Sequence, residues 1–127
     1  SMERELEGGI RVTFVGMFRR TDYNDRVVAV FTVEPQQDTK IKARGGKIFD
    51  SDGNLYEPDS TPWIGNHHTD AREIIEGVKT KIEIWYGVSQ KRGLPGFSRM
   101  TFNFNDKDLV FRNVTTRKWD VQDEMPR

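Results

Sequence analysis

The 127-residue chain sets twenty Lys and Arg against twenty Asp and Glu, so it has no net field to draw nucleic acid or an anionic membrane surface. Its length suits one domain rather than two, and no apolar run approaches the roughly 20 residues of a membrane-spanning helix. The absence of cysteine excludes disulfides, thiolate metal sites and a cysteine nucleophile.

Only 35% of residues are hydrophobic, but eight Phe, three Tyr and three Trp supply bulk for a core. Ser1-Met2 reads as a remnant of tag removal, and residues 1–8 as a flexible lead-in to a domain over 9–115. "GIRVTFVGMFRR" alternates strictly, predicting a strand with Ile10, Val12, Phe14, Gly16 and Phe18 on one face and Arg11, Thr13, Val15 and Met17 on the other. "YNDRVVAVFTVEP" predicts a second strand, apolar on both faces and therefore central, ended by Pro35. "TKIKARGGKIFD" reads as a lysine-rich edge strand interrupted by a bulge at Gly45-Gly46.

Further on, "DAREIIEG" predicts one short helical turn near 70–76, with Asp70 as cap, Glu73 three residues on and Gly77 as stop. "VKTKIEIWYGV" is an amphipathic strand that sets Ile82, Ile84 and Tyr86 against Lys81, Glu83 and Trp85. "FSRMTFNF" and "DLVFRNV" flank an "NDKD" turn and predict a hairpin. Residues 116–127 form a polar tail expected to fray unless Trp119 docks. About seven short strands with little helix predict an all-β fold, an antiparallel immunoglobulin-like β-sandwich, with a small barrel as the alternative.

"FDSDGNLYEPDS" raises the question of a calcium loop. Asp50, Asp52 and Asn54 have alternate spacing for oxygen ligands, yet Gly53 is fourth and Thr61 twelfth where an EF-hand needs glycine sixth and glutamate twelfth. A hairpin turn explains the same residues, because Asp-Gly and Gly-Asn supply positive φ between short strands.

With "IIEGVKTKIEIWYGV" and "LVFRNV", "KIFDSDGNLYEPDS" resembles the immunoglobulin-like β-sandwich domains of unknown function in bacterial lipoproteins and secreted proteins. The similarity covers roughly residues 10 to 114 and rests on a "D-x-D-G-x-x-Y" strand followed by a "G-V-x-x-K" strand entry. It implies an extracytoplasmic location, periplasmic, envelope-bound or secreted, and a role in binding or assembly. It implies no catalytic residues. The lipobox cysteine of a lipoprotein is not in this sequence, so any lipid anchor would lie upstream of it.

The loop "PDSTPWIGNHHTDARE" carries both histidines, His67 and His68, beside Asp59, Asp70 and Glu73. Two His and a carboxylate can hold zinc, but adjacent residues seldom aim both rings at one ion, and no HExxH-like spacing is present. No nucleophile elbow or phosphate-binding glycine loop accompanies them. Trp63, Trp85 and Tyr23 are candidate stacking platforms, and Trp63 and Trp85 candidate interface anchors, against the expectation that loops bury both indoles as lids over the sandwich ends. Lys91, Arg92 and Phe97 lie in "SQKRGLPGF", a second loop suited to contacts.

The resulting expectation is a non-enzymatic interaction domain, without cofactor, metal or nucleic acid. It recognises a protein partner through Trp63, His67, His68, Trp85, Lys91, Arg92 and Phe97. A carbohydrate-binding module using exposed aromatic residues is the alternative, and a His-dependent metal hydrolase the remote one.

Overall fold

The structure, a computed structural model, describes residues 2–20, 26–88 and 96–119. Eleven strands run in order through them: β1 (Glu3–Leu6), β2 (Ile10–Arg20), β3 (Arg26–Pro35), β4 (Thr39–Asp50), β5 (Leu55–Tyr56), β6 (Trp63–Ile64), β7 (His67–His68), β8 (Ala71–Ile74), β9 (Thr80–Gly87), β10 (Gly96–Phe104) and β11 (Lys107–Trp119). The fold is all-β, and among the described residues no helix forms. No described helix is therefore long and apolar enough to cross a membrane.

The strands make one mixed sheet, ordered β5-β4-β10-β11-β2-β3-β9-β6-β7, with β1 added to β2 and β8 to β4. This replaces the expected seven-stranded antiparallel sandwich with eleven strands in a sheet curled into a half-barrel. The departure from antiparallel pairing lies in β11. Its first part is the return strand of the β10 hairpin, whereas Thr116–Trp119 runs parallel to Met17–Arg20 of β2. One strand thus joins both halves of the sheet.

Curling brings strands that are not neighbours in the ladder face to face. Phe31 on β3 lies 4.8 Å from Phe102 and 5.0 Å from Phe104 on β10, and Phe14 on β2 lies 4.8 Å from Phe111 on the adjacent β11. Around these rings Val12, Met17, Val27, Ala29, Ile41, Ile48, Ile82, Ile84 and Met100 complete a continuous core. The period-two pattern builds it as expected on β3, on β9 and on β10 from Met100 onward, since each turns one set of alternate side chains into this core.

On β2 the expected facing holds only to Phe14. A bulge sets Val15 and Gly16 against the single residue Val30, so Met17 turns into the core and Phe18 to the opposite side. Gly16 sits at φ +151, where side-chain-bearing residues are strained.

The helical turn expected near 70–76 is instead strand β8, paired antiparallel with Thr39–Lys42 of β4. Its local capping signal loses to the hydrogen-bonding demand of β4. Glu73 faces Lys40 across the ladder, Ile74 is buried, and the Ala43 N–H donates to the Asp70 carbonyl at 2.9 Å. Residues 39–50 consequently pair with β8, β10 and β5 instead of lying as an edge. Strand pairing also reaches past the expected limits of 9 and 115, from Glu3 to Trp119.

Candidate functional site

β3 is apolar on both faces, and its second face needs cover. Val28 and Val30 are fully buried there beneath Phe18 and Trp119, with Val15 and Trp85 partly buried against them. The cover is partly cationic. The Arg20 guanidinium lies 4.4 Å from the Trp119 ring centre and 5.2 Å from that of Trp85. The outer face therefore begins as a small apolar floor capped by aromatic and arginine side chains.

Beside it the chain adds a hairpin. β6 and β7 are joined at Gly65, whose φ of +59 at the first central position is what a type II′ turn requires. β6 pairs with β9 so that Trp63 stands opposite Glu83, and the Gly65 N–H donates to the Lys81 carbonyl at 2.7 Å. Upstream, the Asp59 N–H donates to the Trp85 carbonyl at 3.2 Å, and the Asp59 carboxylate pairs with Arg26 of β3.

These pairings line a groove of about 790 Å³ on the outer face with the stacked Trp63 and His68, with Arg20 and Trp85, with the Arg26–Asp59 pair, and with Ser60, Gly65 and Glu83. Both indoles are held. The Trp63 and His68 rings stack with centres 4.7 Å apart and planes 14° from parallel, and His68 Nε2 lies 2.7 Å from the Thr61 carbonyl oxygen. The Trp85 indole N–H donates to Glu83 at 3.1 Å, and Lys81 stands 3.4 Å from the same carboxylate. Trp63 remains 38% exposed although large and apolar.

Of the residues singled out in the sequence, Trp63, His68 and Trp85 come together in this groove. His67 does not. Successive strand residues face opposite sides, which separates the two imidazoles and leaves His67 exposed away from the groove lining. Among the described residues no group of three or more His, Asp or Glu could hold a metal ion. Phe97 is a core side chain, 1% exposed and edge-on to Tyr56, which leaves it no surface for a partner. Tyr23, Lys91 and Arg92 lie outside the described residues.

Asp50, Asp52 and Asn54 form a turn centred on one carboxylate. Asp50 is buried and accepts hydrogen bonds from the Asp52 N–H at 3.0 Å, the Asn54 N–H at 2.9 Å, the Asn54 side-chain amide and the Tyr56 hydroxyl at 2.8 Å. Burial alone would push this carboxyl up, but the bonds from Asn54, Tyr56 and Asp52 outweigh it and hold it below the usual carboxylate range. Four donors aim their hydrogens where a calcium ligand would offer its lone pairs. Gly53, at φ +82, closes the loop between β4 and β5.

Arg26 and Glu83 did not stand out in the sequence as parts of a site, and Asp59 did so only as a carboxylate beside the two histidines. A signal for Glu83 was present, because it shares the outer parity of β9 with Trp85. For the pairing of Arg26 with Asp59 there was none, since it depends on where residues 58 and 59 cross the edge of β9.

No protein-family model matches the sequence, and no curated protein matches it at a significant level.

Proposed function

We propose that this is a non-enzymatic recognition domain whose ligand site is the outer-face groove. The observation that carries the reading is the concave surface between two immobilised indoles, Trp63 and Trp85, with charged groups converging beside them. Ligand sites have this character, apolar platforms with a few placed polar groups. Their rigidity lowers the entropy lost on binding. Of the two contact loops expected from the sequence, "TPWIGNHHTD" supplies Trp63, Gly65 and His68. The resemblance of "KIFDSDGNLYEPDS" and "IIEGVKTKIEIWYGV" to immunoglobulin-like domains of bacterial lipoproteins and secreted proteins supports an envelope or secreted location.

Binding sites concentrate small organic fragments, so the test is a fragment screen read by NMR. The indole N–H signals of Trp63 and Trp85, assigned with Trp→Phe variants, are expected to shift for most hits. Hits that move other signals while leaving these two in place would refute the assignment.

A second reading is favoured by the position of Trp63. A half-exposed indole on the edge hairpin β6–β7 is the kind of anchor that protein interfaces use, and a partner protein would bury it. An immobilised peptide array probed with the protein and with Trp63→Ala tests it, through signals that vanish in the variant.

A further inference from the structure

The chemistry of the groove narrows its ligand, and this step rests on the groove being the binding site. We infer that it takes a neutral carbohydrate of one or two rings, stacked on the indole of Trp63 or Trp85, with hydroxyls held by the charged groups that line the groove.

Charge balance is the first argument. Among the described residues the lining sets the guanidinium groups of Arg20 and Arg26 against the carboxylates of Asp59 and Glu83, and both carboxylates already have a cationic partner, Arg26 for Asp59 and Lys81 for Glu83. A phosphate or carboxylate ligand would have to compete with these carboxylates for the cations, and a cationic ligand would meet two guanidinium groups, so the described lining is built for neither sign. A wholly apolar ligand would strip water from four charges and return nothing for it. A neutral, polar ligand is what remains.

Hydrogen-bond type is the second. A hydroxyl donates once and accepts twice, carboxylates only accept, and guanidinium groups only donate. Asp59 and Arg26 are already paired, which sets an acceptor and a donor side by side, as adjacent sugar hydroxyls require. Glu83 fixes the Trp85 ring through the indole N–H, which makes it a positioning residue for the platform as well as an acceptor.

Shape is the third. A pyranose has an apolar face of C–H groups and a polar rim, and an indole flanked by charged side chains complements both. His68 covers one face of Trp63, so the exposure that remains belongs to the opposite face and the ring edge. At about 790 Å³ the groove falls within the range of small-ligand sites.

The test is NMR and calorimetric titration with cellobiose, maltose, lactose, mannobiose and N,N′-diacetylchitobiose, alongside a heparin disaccharide as the acidic control. At least one neutral sugar is expected to shift the Trp63 and Trp85 indole signals and to bind more tightly than the heparin disaccharide. Trp63→Ala should weaken that sugar by about tenfold or more. Asp59→Asn, which keeps the shape and breaks the charge balance, should improve the acidic sugar relative to the neutral one. Thermal melts establish that both variants fold. If the hairpin does not survive Trp63→Ala, Trp63→Tyr, which keeps an aromatic platform, should retain most of the binding. Preference for the heparin disaccharide overturns the inference, as does peptide binding without sugar binding. Silence of all five neutral sugars while fragments still move the indoles overturns it and leaves the groove intact as a site. If fragments also leave the indoles unmoved, the site itself is lost.

Discussion

The Tyr86 hydroxyl on β9 donates a hydrogen bond to the Gly46 carbonyl on β4, 3.0 Å away, tying together two strands that are not sheet neighbours. The phenol is fully buried, and a Cβ on the adjacent Gly45 would stand 2.5 Å from its oxygen. Tyr86→Phe keeps the ring but leaves the Gly46 carbonyl without this donor, a loss of about 1 to 2 kcal/mol. Gly45→Ala should cost about 1 to 3 kcal/mol through overpacking. The double variant should cost somewhat less than the sum, since removing the hydroxyl relieves the tightest contact, although Ile84 Cγ2 at 2.9 Å and Pro58 Cβ at 3.0 Å still crowd the methyl group. Urea denaturation of the four proteins measures the coupling, and strict additivity would show that the contact is absent.

Acid should act through Asp50. Its folded-state pKa lies below the usual value, so its contribution is complete above roughly pH 4, the unfolded range, and is lost as pH falls through the folded value. Denaturation midpoints of the wild type and Asp50→Asn should therefore differ most near neutrality and converge in acid. A gap that stays constant between pH 7 and the acid limit would contradict the assignment.

At high pH the sign reverses for Tyr86. Burial raises its pKa, so its stabilising effect is full below about pH 10, the unfolded value, and declines above it as the unfolded phenol ionises. Wild-type stability should fall more steeply above pH 10 than that of Tyr86→Phe, as read by denaturant melts across that range.

The end of β11 should matter to stability. Trp119 is 8% exposed and packs with Phe18, Val28 and Val30. Trp119→Ala should cost about 3 kcal/mol, and truncation after Thr115 should cost more, because the parallel pairing with β2 goes as well. A truncated chain with an unchanged melting temperature would refute this.

Acrylamide quenching of single-tryptophan variants should rank Trp63 first, Trp85 second and Trp119 last, following 38% exposure, partial burial and 8% exposure. Ligand in the groove should protect Trp63 and leave Trp119 unchanged.

Much of the strand grammar was legible. The two apolar faces of β3, the inward Ile82, Ile84 and Tyr86 of β9, and the Asp-Gly turn between β4 and β5 follow from local alternation and turn chemistry. The "NDKD" hairpin is of the same kind, with Asn105 and Asp106 both at positive φ as a two-residue type I′ turn needs. Phe97 reads both as the start of the "FSRMTFNF" strand and as a contact residue of "SQKRGLPGF"; simple alternation from Met100 sets it outward, but a register shift between Phe97 and Arg99 turns it into the core.

By itself the sequence determined an all-β chain and which side chains of most strands turn inward, because alternation is a property of each segment alone. It could not determine that Val15 and Gly16 would share one partner, that Ala71–Ile74 would extend along β4, or that Thr116–Trp119 would run parallel to β2. Those outcomes depend on which distant backbone is left wanting hydrogen bonds, and only the assembled sheet decides that. The groove belongs wholly to that second level. Arg26 on β3, Glu83 on β9 and the Asp59–Trp63 stretch come from three separate segments, and they meet because β9 pairs with β3 on one edge and with β6 and the Pro58 bridge on the other.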